Sequence, residues 1–216
     1  MNLPNSITLS RIVMIPLWLW ILSPYFPWRD VYGVQEMSAS ILFILASITD
    51  GVDGYLARSR GQITTIGILL DPLADKIMVT AAFIELVAYN PSVVKVWIAV
   101  VIIGREFLIS GLRSIAASEG FTIQASDLGK LKTVIQIVAV VSAILAHRWY
   151  EWNFGPLVVP VEWTAYVAIY FATFVSIVSA VDYFIGFWRK IDGAAKDRRN
   201  AFILSRKGGR STSTAE

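Results

Sequence analysis

Apolar residues in this chain come in long runs rather than in strict alternation. Six runs stand out, at residues 7–26, 38–57, 67–89, 93–117, 131–149 and 163–188. Each is close to the roughly 20 residues an α-helix needs to cross the hydrocarbon of a bilayer, and about twice the length of a barrel strand. Lipid offers the backbone no hydrogen-bond partners, so such runs satisfy their N–H and C=O groups internally, as helices. The pattern predicts an all-α polytopic membrane protein, a bundle of six transmembrane helices with its loops at the two surfaces.

Composition supports the pattern. Of 216 residues, 56% are hydrophobic and only 16% charged, and the mean hydropathy is +0.60. Soluble domains carry about 25% charged residues. The chain has no cysteine and a single histidine, His147, which excludes thiolate chemistry and multi-histidine metal sites. A net charge of +3 would suit nucleic acid, but the charges are distributed otherwise. Arg11, Arg58, Arg60, Lys130, Lys132 and eight basic residues from Arg189 to Arg210 fall on one side of the predicted membrane, and Arg29, Lys95 and Arg148 on the other. Positive loops stay inside, so both termini are expected in the cytoplasm, as an even number of passes requires, and no nucleic-acid partner is expected. There is no internal repeat. The first run lacks a small-residue cleavage site and is followed by Trp28, Arg29 and Asp30, so it is expected to be a helix and not a removed signal. The organisation expected is a transmembrane domain over 1–188 and a basic cytoplasmic tail over 189–216. Trp28, Trp149, Trp152, Trp163 and Trp188 fall near run ends, as interfacial anchors do.

The second and third runs hold residues that lipid does not tolerate without reason. Asp50 and Asp53 lie about 60° apart around one helix, and Asp71 and Asp75 about 40° apart around the next. A short connection makes the two helices antiparallel neighbours, so the faces can converge beneath the cytoplasmic surface. Four such carboxylates repel and take up protons unless cations intervene. Two divalent ions cancel the formal charge, and all-oxygen ligation suits Mg²⁺ or Mn²⁺. Ions about 3.5 to 4 Å apart suit phosphoryl chemistry. Gly54 and Gly67 leave room for a nucleotide against the helix backbone, and Arg58 can pair with phosphate oxygens. The competing reading makes the aspartates helix caps or ion-pair partners of Arg58 and Lys76.

Taken together, residues 50 to 75 read D-x-x-D-G-x-x-A-R, eight residues, then G-x-x-x-D-x-x-x-D. Every fixed position resembles the signature of the CDP-alcohol phosphatidyltransferase family. The resemblance implies a six-helix membrane enzyme, commonly homodimeric, that exchanges the CMP of a CDP-alcohol for an acceptor hydroxyl at a metal-dependent site facing the cytoplasm. It also implies that Asp50, Asp53, Asp71 and Asp75 hold the two metal ions. On the same ground Asp75 is the general base, and Gly54, Ala57, Arg58 and Gly67 line the CDP-diacylglycerol pocket.

Acceptor choice is a separate question. The fourth run carries Arg105, Glu106 and Arg113, and the next begins with Lys130 and Lys132. Arg105 and Arg113 are about 80° apart around their helix and can face one cavity, with Glu106 orienting one of them. Several cations around a pocket imply an anionic acceptor, most simply a phosphate monoester, while flanking charge is the competing but weaker account of Arg113, Lys130 and Lys132, and Arg105 lies deeper in its run. The wording GREFLISGLRSIAASEG and ASDLGKLKT is similar to the bacterial branch of the family, which works in the inner membrane and whose acceptor is glycerol 3-phosphate. Inositol phosphate and phosphatidylglycerol are the alternative acceptors. A cation transporter is the alternative outside enzymology, disfavoured by the missing repeat and by acids gathered at one face. Glu85 and Asp182 are further acids within runs, and His147 is expected on an outer loop.

Overall fold

Six α-helices and one short hairpin form the chain in the computed structural model: α1 (Leu3–Leu22), α2 (Val34–Arg60), α3 (Thr65–Tyr89), α4 (Val96–Ser118), α5 (Asp127–Leu145), β1 (Trp152–Phe154), β2 (Leu157–Val159) and α6 (Val161–Ser211). The structure describes residues 3–29, 31–60, 65–120 and 127–211. Within them, side chains are described for 12–29, 31–49, 73–74, 76–120, 132–153, 155–156 and 158–193. The six helices follow the six predicted runs in order, with ends displaced by a few residues at most places. Two differences are larger. Helix α6 continues without a break to Ser211, because the Ala-, Lys- and Arg-rich segment beyond Trp188 contains good helix formers. The antiparallel hairpin β1–β2 departs from the all-α expectation. Its strands are three residues each, too short for alternation to register, and they are joined through Gly155 at φ +69°, which supplies the left-handed conformation a tight reversal needs at its first central position.

Contacts between helix ends fix the direction of the bundle. The Gln35 side-chain amide on α2 donates to the carbonyls of Ile21 at 2.8 Å and Ser23 at 3.2 Å, capping the end of α1. Tyr89 at the end of α3 donates its hydroxyl to Glu36 at 3.2 Å, and Asn90 donates to the Ala143 carbonyl of α5 at 3.0 Å. Tyr166 near the start of α6 donates to the Ser92 carbonyl at 3.3 Å. The ends of α1, α3 and α5 and the starts of α2, α4 and α6 therefore meet at one end, with the hairpin. Gly33 has φ +74° there and a Cβ on it would collide with the Trp149 indole, so this loop contact requires glycine. The end of α2, the start of α3, the end of α4 and the start of α5 lie at the opposite end.

Packing between these ends relies on small residues. Ala39, Ala82, Ala139, Ala143 and Ala165 are fully buried, which lets helix backbones approach closely, and Phe83, Leu86, Ile98, Ile102, Ile144 and Ile169 fill the remaining core. The Trp18 indole N–H donates to the Ala39 carbonyl at 3.0 Å, joining α1 to α2. Outward, every helix carries large apolar side chains that are more than half exposed: Val13, Ile41, Ile84, Val100, Val134 and Phe174 are one from each. Among the described residues, one helical stretch, Val161–Gly193, is long and apolar enough by itself to cross a membrane. The apolar stretches Ile12–Leu22, Val34–Thr49 and Lys132–Leu145 belong to α1, α2 and α5.

Candidate active site

The aspartates occupy the end opposite the hairpin. Asp50, Asp53, Gly54, Ala57 and Arg58 fall in the last turns of α2, and Gly67, Asp71 and Asp75 in the first turns of α3. The helix-end contacts above place these turns at the same end of the bundle, and four residues separate Arg60 from Thr65. The side chains of all eight residues, and that of Lys130 on α5, lie outside the described residues. Among the described residues no cluster of three or more His, Cys, Asp or Glu side chains can hold a metal.

The cationic residues of α4 and α5 are better defined. The Arg105 guanidinium donates from Nη1 to Glu106 Oε1 at 3.2 Å and from Nη2 to Ser179 Oγ on α6 at 2.6 Å. Lys132 Nζ, on α5, forms an ion pair with the same Glu106 oxygen. All three charged side chains are withdrawn from solvent, at 11% exposure for Arg105, 15% for Glu106 and 7% for Lys132. Flanking charge does not behave this way: Lys132 is buried and paired, although it lies only two turns into α5. Arg113, two turns further along α4 toward the aspartate end, is exposed and close enough to Arg105 for the two charges to repel. Arg105 Nε is buried and has no acceptor among the described residues.

One carboxylate thus holds two cations from two helices, and this predicts an order of stabilities. Exchanging Lys132 for Met leaves the Arg105–Glu106 bond in place, whereas Glu106→Leu removes the carboxylate that both cations share. Stranding a buried charge costs about 3 to 5 kcal/mol. Thermal unfolding in detergent should therefore show Glu106→Leu losing clearly more than Lys132→Met. Equal losses would mean that the shared carboxylate is not what holds the cluster.

Other singled-out residues lie elsewhere. Glu85 on α3 lines a cavity of ≈ 300 Å³ at the hairpin end, with Arg29, Gln35, Tyr89 and His147. His147 is exposed, as expected, and also packs against Tyr89 with ring centroids 4.1 Å apart and the planes tilted by 36°. Asp182 is exposed on α6. Trp28 and Trp163 are each more than half exposed near helix ends, as anchors at a membrane interface would be, whereas the equally exposed Trp188 lies in the middle of the continuous α6. Ser179 belongs to the cation cluster and escaped the sequence reading. It lies 74 positions from Arg105, on an apolar helix where a serine carries no signal.

Comparison with known proteins places this arrangement. Residues 1–183 match the family model for CDP-alcohol phosphatidyltransferase. A protein of Bacillus subtilis (strain 168), named CDP-diacylglycerol–glycerol-3-phosphate 3-phosphatidyltransferase, is 40% identical over 200 residues, covering 88% of this chain and 97% of its own length. A Rickettsia bellii protein of the same name is 34% identical over 186 residues, covering 85% of this chain and 93% of its own length. One from Pseudomonas fluorescens is 41% identical over 144 residues, covering 65% and 71%.

Proposed function

The chain belongs to the CDP-alcohol phosphatidyltransferase family, and from that premise we propose that it transfers the phosphatidyl group of CDP-diacylglycerol to glycerol 3-phosphate, giving phosphatidylglycerophosphate and CMP. The relatives named for this reaction span most of both chains. The observation that carries the acceptor assignment is the buried Arg105–Glu106–Lys132 cluster, set on the α4 and α5 segments that lead to the aspartate end. With Arg113, three cations less one carboxylate leave a formal +2, matching a phosphate monoester of charge about −1.5 to −2. Lys130 joins them as a further acceptor contact at the start of α5.

The family is generally divalent-cation dependent. The donor set fits a hard cation: Asp50, Asp53, Asp71 and Asp75 offer only oxygen, on the last turns of α2 and the first turns of α3, and the one histidine sits at the other end of the bundle. These four residues would hold two Mg²⁺ or Mn²⁺ ions, which would supply charge compensation for the pyrophosphate and the departing CMP. Arg58 pairs with pyrophosphate oxygens, while Gly54, Ala57 and Gly67 keep the helix surfaces open to the cytidine. Asp75 takes the proton of the acceptor hydroxyl as its oxygen attacks the β-phosphorus of CDP-diacylglycerol. A new P–O bond forms, the bond to CMP breaks, and no oxidant or third substrate is required.

The apolar outward side chains on all six helices support insertion in a bilayer as a multi-pass protein. The excess of basic residues at the aspartate end and along the 189–216 tail supports a cytoplasmic active site, in the bacterial inner membrane, with both termini inside. A homodimer is part of the same reading, from the family resemblance alone.

The test is direct. Purified protein incubated with CDP-diacylglycerol, Mg²⁺ and a panel of acceptors should yield phosphatidylglycerophosphate from glycerol 3-phosphate and little product from glycerol. Arg113→Gln should raise the KM for glycerol 3-phosphate by about tenfold, the loss expected for one charge-assisted contact, with little change in the KM for CDP-diacylglycerol. Equal use of glycerol and glycerol 3-phosphate would overturn the acceptor assignment.

A further inference from the structure

Helix α6 was assigned no chemistry by its sequence, yet it reaches the cation cluster through one side chain. Ser179 is 5% exposed, and its hydroxyl accepts the 2.6 Å bond from Arg105 Nη2. We infer that Ser179 is a positioning residue for the acceptor: it turns the Arg105 guanidinium so that the remaining donor edge faces the acceptor phosphate. This rests on the acceptor reading above and extends it to a third helix.

The geometry leaves little freedom for another arrangement. A guanidinium is a rigid planar fork with five N–H donors, so two fixed bonds define its plane. Glu106, the neighbour of Arg105 on α4, holds Nη1, and Ser179, on a different helix, holds Nη2. Together they fix the plane from two sides. Nε, buried and without an acceptor among the described residues, is left to donate along the edge of the fork. An unsatisfied buried donor on a cation is costly, and a phosphate oxygen is the acceptor that relieves the cost best. Glu106 alone would let the guanidinium rotate about its single anchored nitrogen. Ser179 is the contact that prevents this.

The opposing account is that Ser179 merely packs α6 against α4. The two accounts differ in what they predict for kinetics. A packing role lowers the amount of folded enzyme and touches both substrates alike. A positioning role weakens the interaction with glycerol 3-phosphate and leaves the CDP-diacylglycerol half unaltered. Ser176, one turn earlier on α6, is fully buried and makes no bond to Arg105, so it is the matched control.

The experiment is steady-state kinetics of purified wild type, Ser179→Ala, Ser179→Thr and Ser176→Ala in detergent micelles, varying each substrate at saturation of the other. Ser179→Ala should raise the KM for glycerol 3-phosphate about tenfold, the order expected on losing one hydrogen bond to a charged group. Its kcat and its KM for CDP-diacylglycerol should stay within about twofold of wild type. Ser179→Thr, which keeps the hydroxyl, should stay close to wild type, and Ser176→Ala should leave all constants unaltered. An unaltered KM in Ser179→Ala, a similar rise in Ser176→Ala or Ser179→Thr, or parallel losses for both substrates each overturn the inference. A wild type that makes no product from glycerol 3-phosphate would instead sink the acceptor reading itself.

Discussion

Exchanging Asp71 for Asn is expected to abolish turnover, even at saturating concentrations of both substrates. The substitution keeps the size of the side chain and removes one unit of negative charge from the proposed set of four carboxylates on the last turns of α2 and the first turns of α3. With no cysteine in the chain and its one histidine at the hairpin end, no soft or imidazole ligand is at hand to replace the lost oxygen. Divalent ions held by three charges instead of four would bind more weakly, and the charge compensation they would supply to the departing CMP would fail with them. Saturating substrate does not restore an interaction of this kind, because the loss falls on the chemical step. The same argument requires that excess chelator silence the wild type and that added Mg²⁺ or Mn²⁺ restore it. The measurement is transfer of labelled phosphatidyl group, with Mn²⁺ binding followed separately by electron paramagnetic resonance. Full activity in excess chelator would falsify the two-metal proposal, and wild-type Mn²⁺ binding in Asp71→Asn would remove Asp71 from the ligand set.

How much of this was legible beforehand follows from which forces leave a mark in sequence. Apolar runs are set by burial and by lipid, so the six helices and their order were readable from residue type alone. The hairpin Trp152–Phe154 with Leu157–Val159 was not, because two three-residue strands depend on the left-handed Gly155 and on pairing across the turn. The extension of α6 to Ser211 was not, since helix propensity in a polar segment carries no hydrophobic period. In the site, the charges announced themselves: Arg105, Glu106 and Lys132 are costly residues to bury, and their presence in apolar runs pointed to one another. The sharing of one Glu106 oxygen by cations from two helices was legible only as a possible orientation of one arginine. Ser179 left no trace. A serine is cheap inside a membrane helix, where its hydroxyl can return to its own backbone, so its bond to Arg105 is a fact of tertiary structure only. Lys132 shows the converse. Position near a helix start left flanking charge as a competing explanation, and burial against Glu106 decides against it.

The second large effect concerns Asp75, one turn beyond Asp71 on α3. A general base must meet the acceptor hydroxyl, and the proposed one, Asp75, lies further along α3 from the aspartate end than Asp71 and next in sequence to the buried Ala74. Asp75→Asn keeps the size and hydrogen-bonding capacity of the side chain and removes the basic oxygen. Positioned proton transfer contributes about 10²- to 10⁴-fold to a rate, so kcat should fall by at least about 10²-fold. Affinity for CDP-diacylglycerol, measured as Kd by equilibrium binding in the presence of Mg²⁺, should fall much less, because three carboxylates, Arg58 and the open faces at Gly54 and Gly67 remain. Asp71→Asn supplies the contrast: there binding and turnover should both suffer, since a ligand to the ions would support the bound pyrophosphate and, more strongly, the charge developing on the departing CMP. If Asp75→Asn instead loses binding and turnover in the same proportion as Asp71→Asn, Asp75 is a metal ligand only, and the proton of the acceptor hydroxyl goes to another group.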